Sequence, residues 1–236
     1  MTAEEPWPPR VSGPDDGFSG FGPWVFAWFA GLERDNTKSY FAASRERFER
    51  EVRDGFTALL EELRATYGGD VRVFRQYRDV RFSADKSPYK TRTYGLLEGP
   101  GLYAEVSARG LYGGTGYPHL AADQLERFRA AVADDVTGAE LAALVAGARA
   151  DGLEVDGQAL RTAPRGYARD HARVELLRHR MVIVGARLAP GAEGIGRAAA
   201  LDHVAGAWRA AGPIVAWLDA HVGESELPPR GRPGRR

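Results

Sequence analysis

Residues 75–91 read R-Q-Y-R-D-V-R-F-S-A-D-K-S-P-Y-K-T and place five cations, Arg75, Arg78, Arg81, Lys86 and Lys90, beside only two carboxylates, Asp79 and Asp85. Ser83, Ser87, Tyr77, Tyr89 and Thr91 interleave them as neutral hydrogen-bonding groups. Such a mixture suits recognition of an anion: Arg and Lys neutralise a phosphate or carboxylate, Ser and Tyr add directional bonds, and the aspartates hold the cations in place. The same groups suit hydrolysis or phosphoryl transfer with Lys86 or an aspartate as proton carrier. They also suit a third reading, an Arg-Asp-Tyr network that fixes a loop while a protein-interaction surface elsewhere carries the function.

Lysine usage singles out the same stretch. Of 32 basic residues only Lys38, Lys86 and Lys90 are lysine, so two of the three fall here. An ammonium is a compact point charge whose pKa responds to desolvation, whereas a guanidinium is a planar fork that stays charged. The expected ligand-binding set is therefore Arg75, Arg78, Asp79, Arg81, Ser83, Asp85, Lys86, Ser87, Tyr89 and Lys90. No metal ligand set and no cofactor is specified.

The elements must bring these groups together. Alternation of Phe74, Val80 and Phe82 against Arg75, Tyr77, Asp79 and Arg81 predicts a half-buried strand from Val73 to Phe82. Arg75, Asp79 and Arg81 would line its polar face. Arg78 would lie on the apolar face, snorkelling or paired with a carboxylate. Residues 83–88 read as a loop, and Ser87 before Pro88 is expected to cap a short helical turn offering free backbone N–H groups to an anion.

Around the motif, Phe21, Val25, Trp28, Phe29 and Leu32 recur at helical spacing. A second helix capped by Asn36 or Thr37 is expected to run to about Ala65, with its charges from Arg45 to Asp54 forming a solvated face. Residues 94–97 and 102–108 read as strands joined by a turn at Gly99–Gly101. The run with Gly113, Gly114 and Gly116 lacks the phosphate-loop spacing and is expected to be a turn or a place of close backbone packing. Leu125, Phe128 and Val132 mark a further helix, and Thr137 with Glu140 a capping box for the next. A long helix from Gly196 carries Leu201, Val204, Trp208, Ala211, Val215 and Leu218, with a kink or restart at Gly212–Pro213.

Long amphipathic helices flanking strands joined by short turns predict an α+β fold: a single domain over residues 18–222, mainly an antiparallel sheet covered by helices. Phe41, Phe56, Leu60, Phe82, Val106, Val184 and Trp208 are its expected buried set. Residues 1–17 are expected to form a loose arm and 223–236 a disordered basic tail.

The run R-D-V-R-F-S-A-D-K-S-P-Y-K-T, together with R-G-Y-A-R-D-H-A-R-V-E-L-L at 165–177, resembles an uncharacterised family known as domain of unknown function 2461. The likeness covers residues 18–222 and implies a single α+β domain without an assigned activity. The second run adds Tyr167 and His171 as residues expected to close the site over the motif. Beside Asp170, His171 is read as a structural hydrogen-bonding group before a metal ligand or general base.

Composition sets outer limits. Lys+Arg and Asp+Glu are equal at 32 each, so no global field draws the chain to nucleic acid, and only weak contacts by the basic tail are expected there. The chain has no cysteine, which excludes disulfides, thiolate nucleophiles and Cys-ligated metals. No apolar run has the length of a membrane span, which makes the cytoplasm the expected compartment. Oligomeric state is left open.

Overall fold

A computed structural model describes residues 17–228. Residues 1–16 of the expected arm and 229–236 of the expected tail lie outside the described residues; of the tail's described part, Gly223 O accepts from Gln124 Nε2 and Glu226 N donates to Asp123 Oδ2. The chain forms two compact units. One extends to Gly113 and resumes at Arg187–Gly206; the other comprises Gly114–Ala186 and resumes at Ala207.

In the first unit the pair β1 (Gly20–Phe21) precedes helix α1 (Pro23–Arg34), where Pro23 suits the first helical turn. Val25, Phe26, Trp28, Phe29 and Leu32 give α1 its buried side. The expected single helix to Ala65 is divided into α2 (Lys38–Ala43), α3 (Arg45–Phe48), a π-helical segment (Glu49–Asp54) and α4 (Gly55–Tyr67). Thr37 caps α2 as expected, its Oγ1 accepting from Tyr40 N at 3.3 Å. The division falls at Ser44, whose hydroxyl donates to Tyr40 O and accepts from Trp28 Nε1 at 2.7 Å. A side chain that bonds the preceding turn in this way bends a helix.

The π-helical segment overturns the solvated-face expectation. Glu49 and Arg53 are only 9% and 7% exposed and form an ion pair at 2.7 Å. The wider turn carries both inward, towards Phe41, Phe48 and Phe74.

The strands are β2 (Asp70–Val73), β3 (Arg92–Glu98), β4 (Leu102–Ser107), β5 (Gly110–Tyr117), β6 (Glu154–Asp156) and β7 (Val182–Leu188), hydrogen-bonded in the order β2-β3-β4-β5-β7-β6. The sheet is antiparallel and the fold α+β, as the patterning predicts. Asp70 faces Glu98, and Arg92 faces Ser107 across the next pair. Helix α4 covers β2 and β3 with Phe56, Leu59, Leu60 and Leu63. The two-residue strand β8 (Ile195–Gly196) pairs with β1.

The glycine-rich run is strand β5. A Cβ on Gly113 would lie 3.0 Å from Val204 Cα, and one on Gly116, at φ +129°, would lie 2.2 Å from Val182 O. The glycines admit close backbone approach, the second of the two readings offered for them.

The second unit packs α5 (Ala122–Ala133), α6 (Thr137–Ala150) and α7 (Val174–Leu177) around Phe128, Val132, Leu141, Val145, Leu177, Val184, Trp217 and Leu218. Asp134, rather than Thr137, caps α6: its Oδ1 accepts from Val136 N and Thr137 N, each at 2.9 Å. Helix α8 (Arg197–His221) is one element through Pro213. Among the described residues no helix is long and apolar enough to cross a membrane.

Candidate functional site

The motif strand ends at Val73, nine residues before the expected Phe82. Phe74 keeps one bond to β3, its N–H donating to Tyr94 O at 3.0 Å, and pairing then thins to the isolated bridge Tyr77↔Tyr89. Pro88 has no N–H and offers only its carbonyl, which accepts from Arg78 N at 2.9 Å. Tyr89 N donates to Asn36 Oδ1 at 3.1 Å, while Asn36 Nδ2 donates to Tyr89 O at 3.0 Å. The asparagine amide thus occupies both backbone groups that a neighbouring strand would otherwise use.

Residues 74–94 therefore form a narrow stem with an irregular outer turn. Phe82 is 97% exposed on that turn, which corrects its place in the expected core. Its alternation with Val80 lies beyond the last ladder pair, where parity no longer sets direction. The other six of the expected buried set, Phe41, Phe56, Leu60, Val106, Val184 and Trp208, are buried.

Two carboxylates organise the loop. Asp79 chelates Arg81, accepting from Nε at 2.9 Å and Nη2 at 2.6 Å, and this holds its carboxyl at about 2. Asp85 accepts from Ser87 Oγ at 2.6 Å and Ser87 N at 2.9 Å and pairs with Arg78, so its carboxyl lies well below the usual range. Arg78 is half-buried, with a carboxylate partner. The expected helical turn at Pro88 is absent: Ser87 N, Tyr89 N and Lys90 N are bonded to Asp85, Asn36 and Gln76, and none is left for an anion.

Beside the stem lies an open cleft of about 590 Å³ lined by Glu33, Asn36, Thr91, Arg92 and Tyr94 together with Arg78, Asp79, Asp85, Ser87, Tyr89 and Lys90 of the motif. Six of the expected residues thus converge. Arg81, Ser83 and Lys86 belong to the outer turn, where Lys86 Nζ donates to Val80 O at 3.0 Å and Ser83 N to the same carbonyl at 3.3 Å. Arg75 faces inward instead. Its Nε is buried without a hydrogen-bond partner and its side chain lines a water-sized void with Glu49, Arg53 and Gln76.

Buried polar groups hold the backbone that carries Lys90 and Arg92. Gln76 donates to Lys90 O and to Arg92 O at 3.3 Å and accepts from Thr93 Oγ1 at 2.9 Å. Lys90 Nζ donates to Arg75 O at 2.8 Å and lies 4.8 Å from the Tyr94 ring centroid; Arg92 Cζ lies 5.5 Å from the same centroid. Arg92 Nε reaches the buried Glu105 at 3.3 Å, a carboxylate that also serves Arg187 at 2.9 Å and the Tyr103 hydroxyl at 2.8 Å. Tyr89 stacks on Phe41 at 4.3 Å, and burial, then Tyr77, pushes its hydroxyl pKa up.

Sequence reasoning missed Glu33, Asn36, Arg92 and Tyr94, and named Thr91 only as a neutral group of the motif outside the expected binding set. The signal for Arg92 and Tyr94 was the polar alternation T-R-T-Y continuing past Thr91. Asn36 carried only its possible capping role and its place in the aromatic-rich opening, residues 21–41, that resembles the family's. Tyr167 and His171 lie in the second unit, where Tyr167 packs against the Phe128 core and His171 Nδ1 accepts from Arg173 N at 3.0 Å. Among the described residues no three His, Asp or Glu side chains converge as a metal site.

No curated protein and no solved structure matches the chain. A family model does, over residues 25–217, and the chain therefore belongs to the family described as conserved hypothetical protein (DUF2461).

Proposed function

We propose that the cleft binds a small anionic ligand bearing a phosphate group. The observation that carries this reading is the convergence of Lys90 and Arg92 on the Tyr94 ring, within 4.8 and 5.5 Å of its centroid. Two cations on one ring repel each other, and the carboxylate nearest Arg92, Glu105, is shared with Arg187. An anion seated between the two cations relieves that repulsion. Arg78 contributes less, because Asp85 already neutralises it. Ser87 and Thr91 supply hydroxyls, and Asn36 and Gln76 fix the backbone from which Tyr89 and Lys90 project.

A structural reading has its own support: Asp79 and Asp85 each bond cations and amides within the loop. The two combine, since a pre-organised loop is what a binding site requires.

The test is a thermal-shift and crystal-soak screen of inorganic phosphate, sugar phosphates and nucleotides, with and without divalent metals. Wild type is expected to bind at least one phosphate ester saturably. Arg92→Gln should weaken it at least tenfold while Lys86→Ala, outside the cleft, leaves it unchanged. Equal loss in both variants, or no response to any phosphate, would sink the reading; turnover of a bound ester would move the site to phosphoryl transfer.

A further inference from the structure

The second unit contains another cleft, of about 290 Å³, between α6 and the segment 172–179. The segment R-G-Y-A-R-D-H-A-R-V-E-L-L supplies Ala172, Arg173, Glu175 and Leu176 to it.

Three features of its lining point to a ligand. His179 is 7% exposed, and its Nδ1 is buried without a hydrogen-bond partner. The ring presses on Gly157, where a Cβ would lie 2.1 Å from Cγ and 2.4 Å from Nδ1, so backbone without a side chain is needed to admit it. Nδ1 thus lies on the side of Gly157, outside the cleft lining, whereas Nε2 bonds none of the described residues and is the ring nitrogen left for a ligand in the cleft. Second, the charged neighbours are already engaged, with one exception. Arg173 donates to Val132 O, Ala133 O and Asp134 O, and Glu175 accepts from Arg178. The side chain of Arg149, in the last turn of α6, makes no hydrogen bond or ion pair with the described residues and lines the same cleft. Third, Ala142, Val145, Ala146 and Leu176 make one side of the cleft apolar.

We propose that this cleft binds a small carboxylate with an apolar body, Arg149 gripping the carboxylate and the His179 imidazole hydrogen-bonding to it. A guanidinium fork matches a carboxylate in two parallel bonds, which a lysine in its place would not. The apolar side gives the body of the ligand a surface to cover, and this separates the class from free phosphate. Burial, then Arg149, lowers the His179 pKa, so the ring is uncharged at neutral pH and serves as a hydrogen-bonding group while Arg149 carries the charge. The inference is independent of the phosphate reading for the Lys90–Arg92 cleft.

The test is an NMR titration of the full, ¹⁵N-labelled chain with phenylacetate and isovalerate, with inorganic phosphate as the control. Saturable shifts are expected at the amides of Ala146 and Leu176 and at the His179 ring nitrogens. Arg149→Gln, on an exposed position, should keep the denaturation midpoint and weaken both carboxylates at least tenfold, with Arg149→Lys between the two. Absence of saturable shifts with both carboxylates, equal affinity in Arg149→Gln, or phosphate binding as tightly as phenylacetate would each overturn the proposal.

Discussion

At the scale of single residues, the environment of an ionisable group decides what its charge does, and two groups here take opposite paths. Asp85 is exposed and held ionised by Ser87 and Arg78, so the loop it organises is intact above the ordinary carboxylate range and loosens only as pH falls through the lowered folded value. His179 is buried and held neutral. Arg149 and Arg178 reinforce the lowering that burial begins, while Asp156 and Glu175 oppose it. A base with a depressed folded pKa contributes full stability above its unfolded value, near 6.5, and loses it as pH falls below that value until the folded pKa is passed. Denaturation midpoints of wild type should therefore decline from about pH 6.5 downward. In His179→Gln that part of the decline should vanish, and an unchanged slope would contradict the assignment. Packing gives a second contrast. Phe82→Ala should leave stability within about 0.5 kcal/mol of wild type, whereas Phe56→Ala, at a fully buried position, should cost about 3 to 5 kcal/mol. Residue types in the 75–91 motif were legible in the sequence, whereas nothing in it singled out Arg149 or His179. The partners at both sites were not legible, because Asn36 with Tyr89 and Gly157 with His179 meet through tertiary packing that no local pattern encodes.

At the scale of elements, the long helix after Thr37 shows where periodicity stops informing. Charges alternating from Arg45 to Asp54 look solvated on an α-helical wheel, but a π-helical turn rotates the face and buries Glu49 with Arg53. A buried pair is expected to be worth little against apolar residues of similar volume, yet expensive to break. Arg53→Met alone should destabilise by about 3 to 5 kcal/mol, and Glu49→Leu with Arg53→Met should recover most of that loss in chemical denaturation. If the double variant is as unstable as the single one, the pair is needed for the helix geometry itself. Strand β2 fails in the opposite way. Its pattern continues past Val73, but Pro88 across the stem cannot donate, so the ladder lapses and the polar loop lines a cleft, while Asn36 takes the outward-facing backbone groups of Tyr89. The antiparallel strands β3 and β4 were legible because their turn at Gly99–Gly101 and their alternating faces both persist to the ends.

At the scale of the whole molecule, the chain passes between its two compact units at residues 113/114, 186/187 and 206/207. Each passage lies inside a regular element: β5 (Gly110–Tyr117), β7 (Val182–Leu188) and α8 (Arg197–His221). Independent domains are ordinarily joined at exposed linkers where few hydrogen bonds must break. Here, melting one unit alone would fray two strands and a helix in mid-course, stranding backbone groups that are paired in the native state. We therefore expect the units to unfold together, as the single domain anticipated over residues 18–222. Scanning calorimetry should give one transition with calorimetric and van't Hoff enthalpies in agreement, and tryptophan fluorescence and far-ultraviolet circular dichroism should report the same midpoint. The probes sample both units, since Trp28 lies in the first and Trp217 in the second. Phe56→Ala then provides the sharper arm. Under one cooperative transition, a cavity in the first unit lowers the midpoint seen by every probe and loosens the second unit's amides in hydrogen exchange by the same free energy. Loss of protection confined to the first unit, or two resolved transitions, would show that the interruptions in β5, β7 and α8 are joints between separately stable bodies.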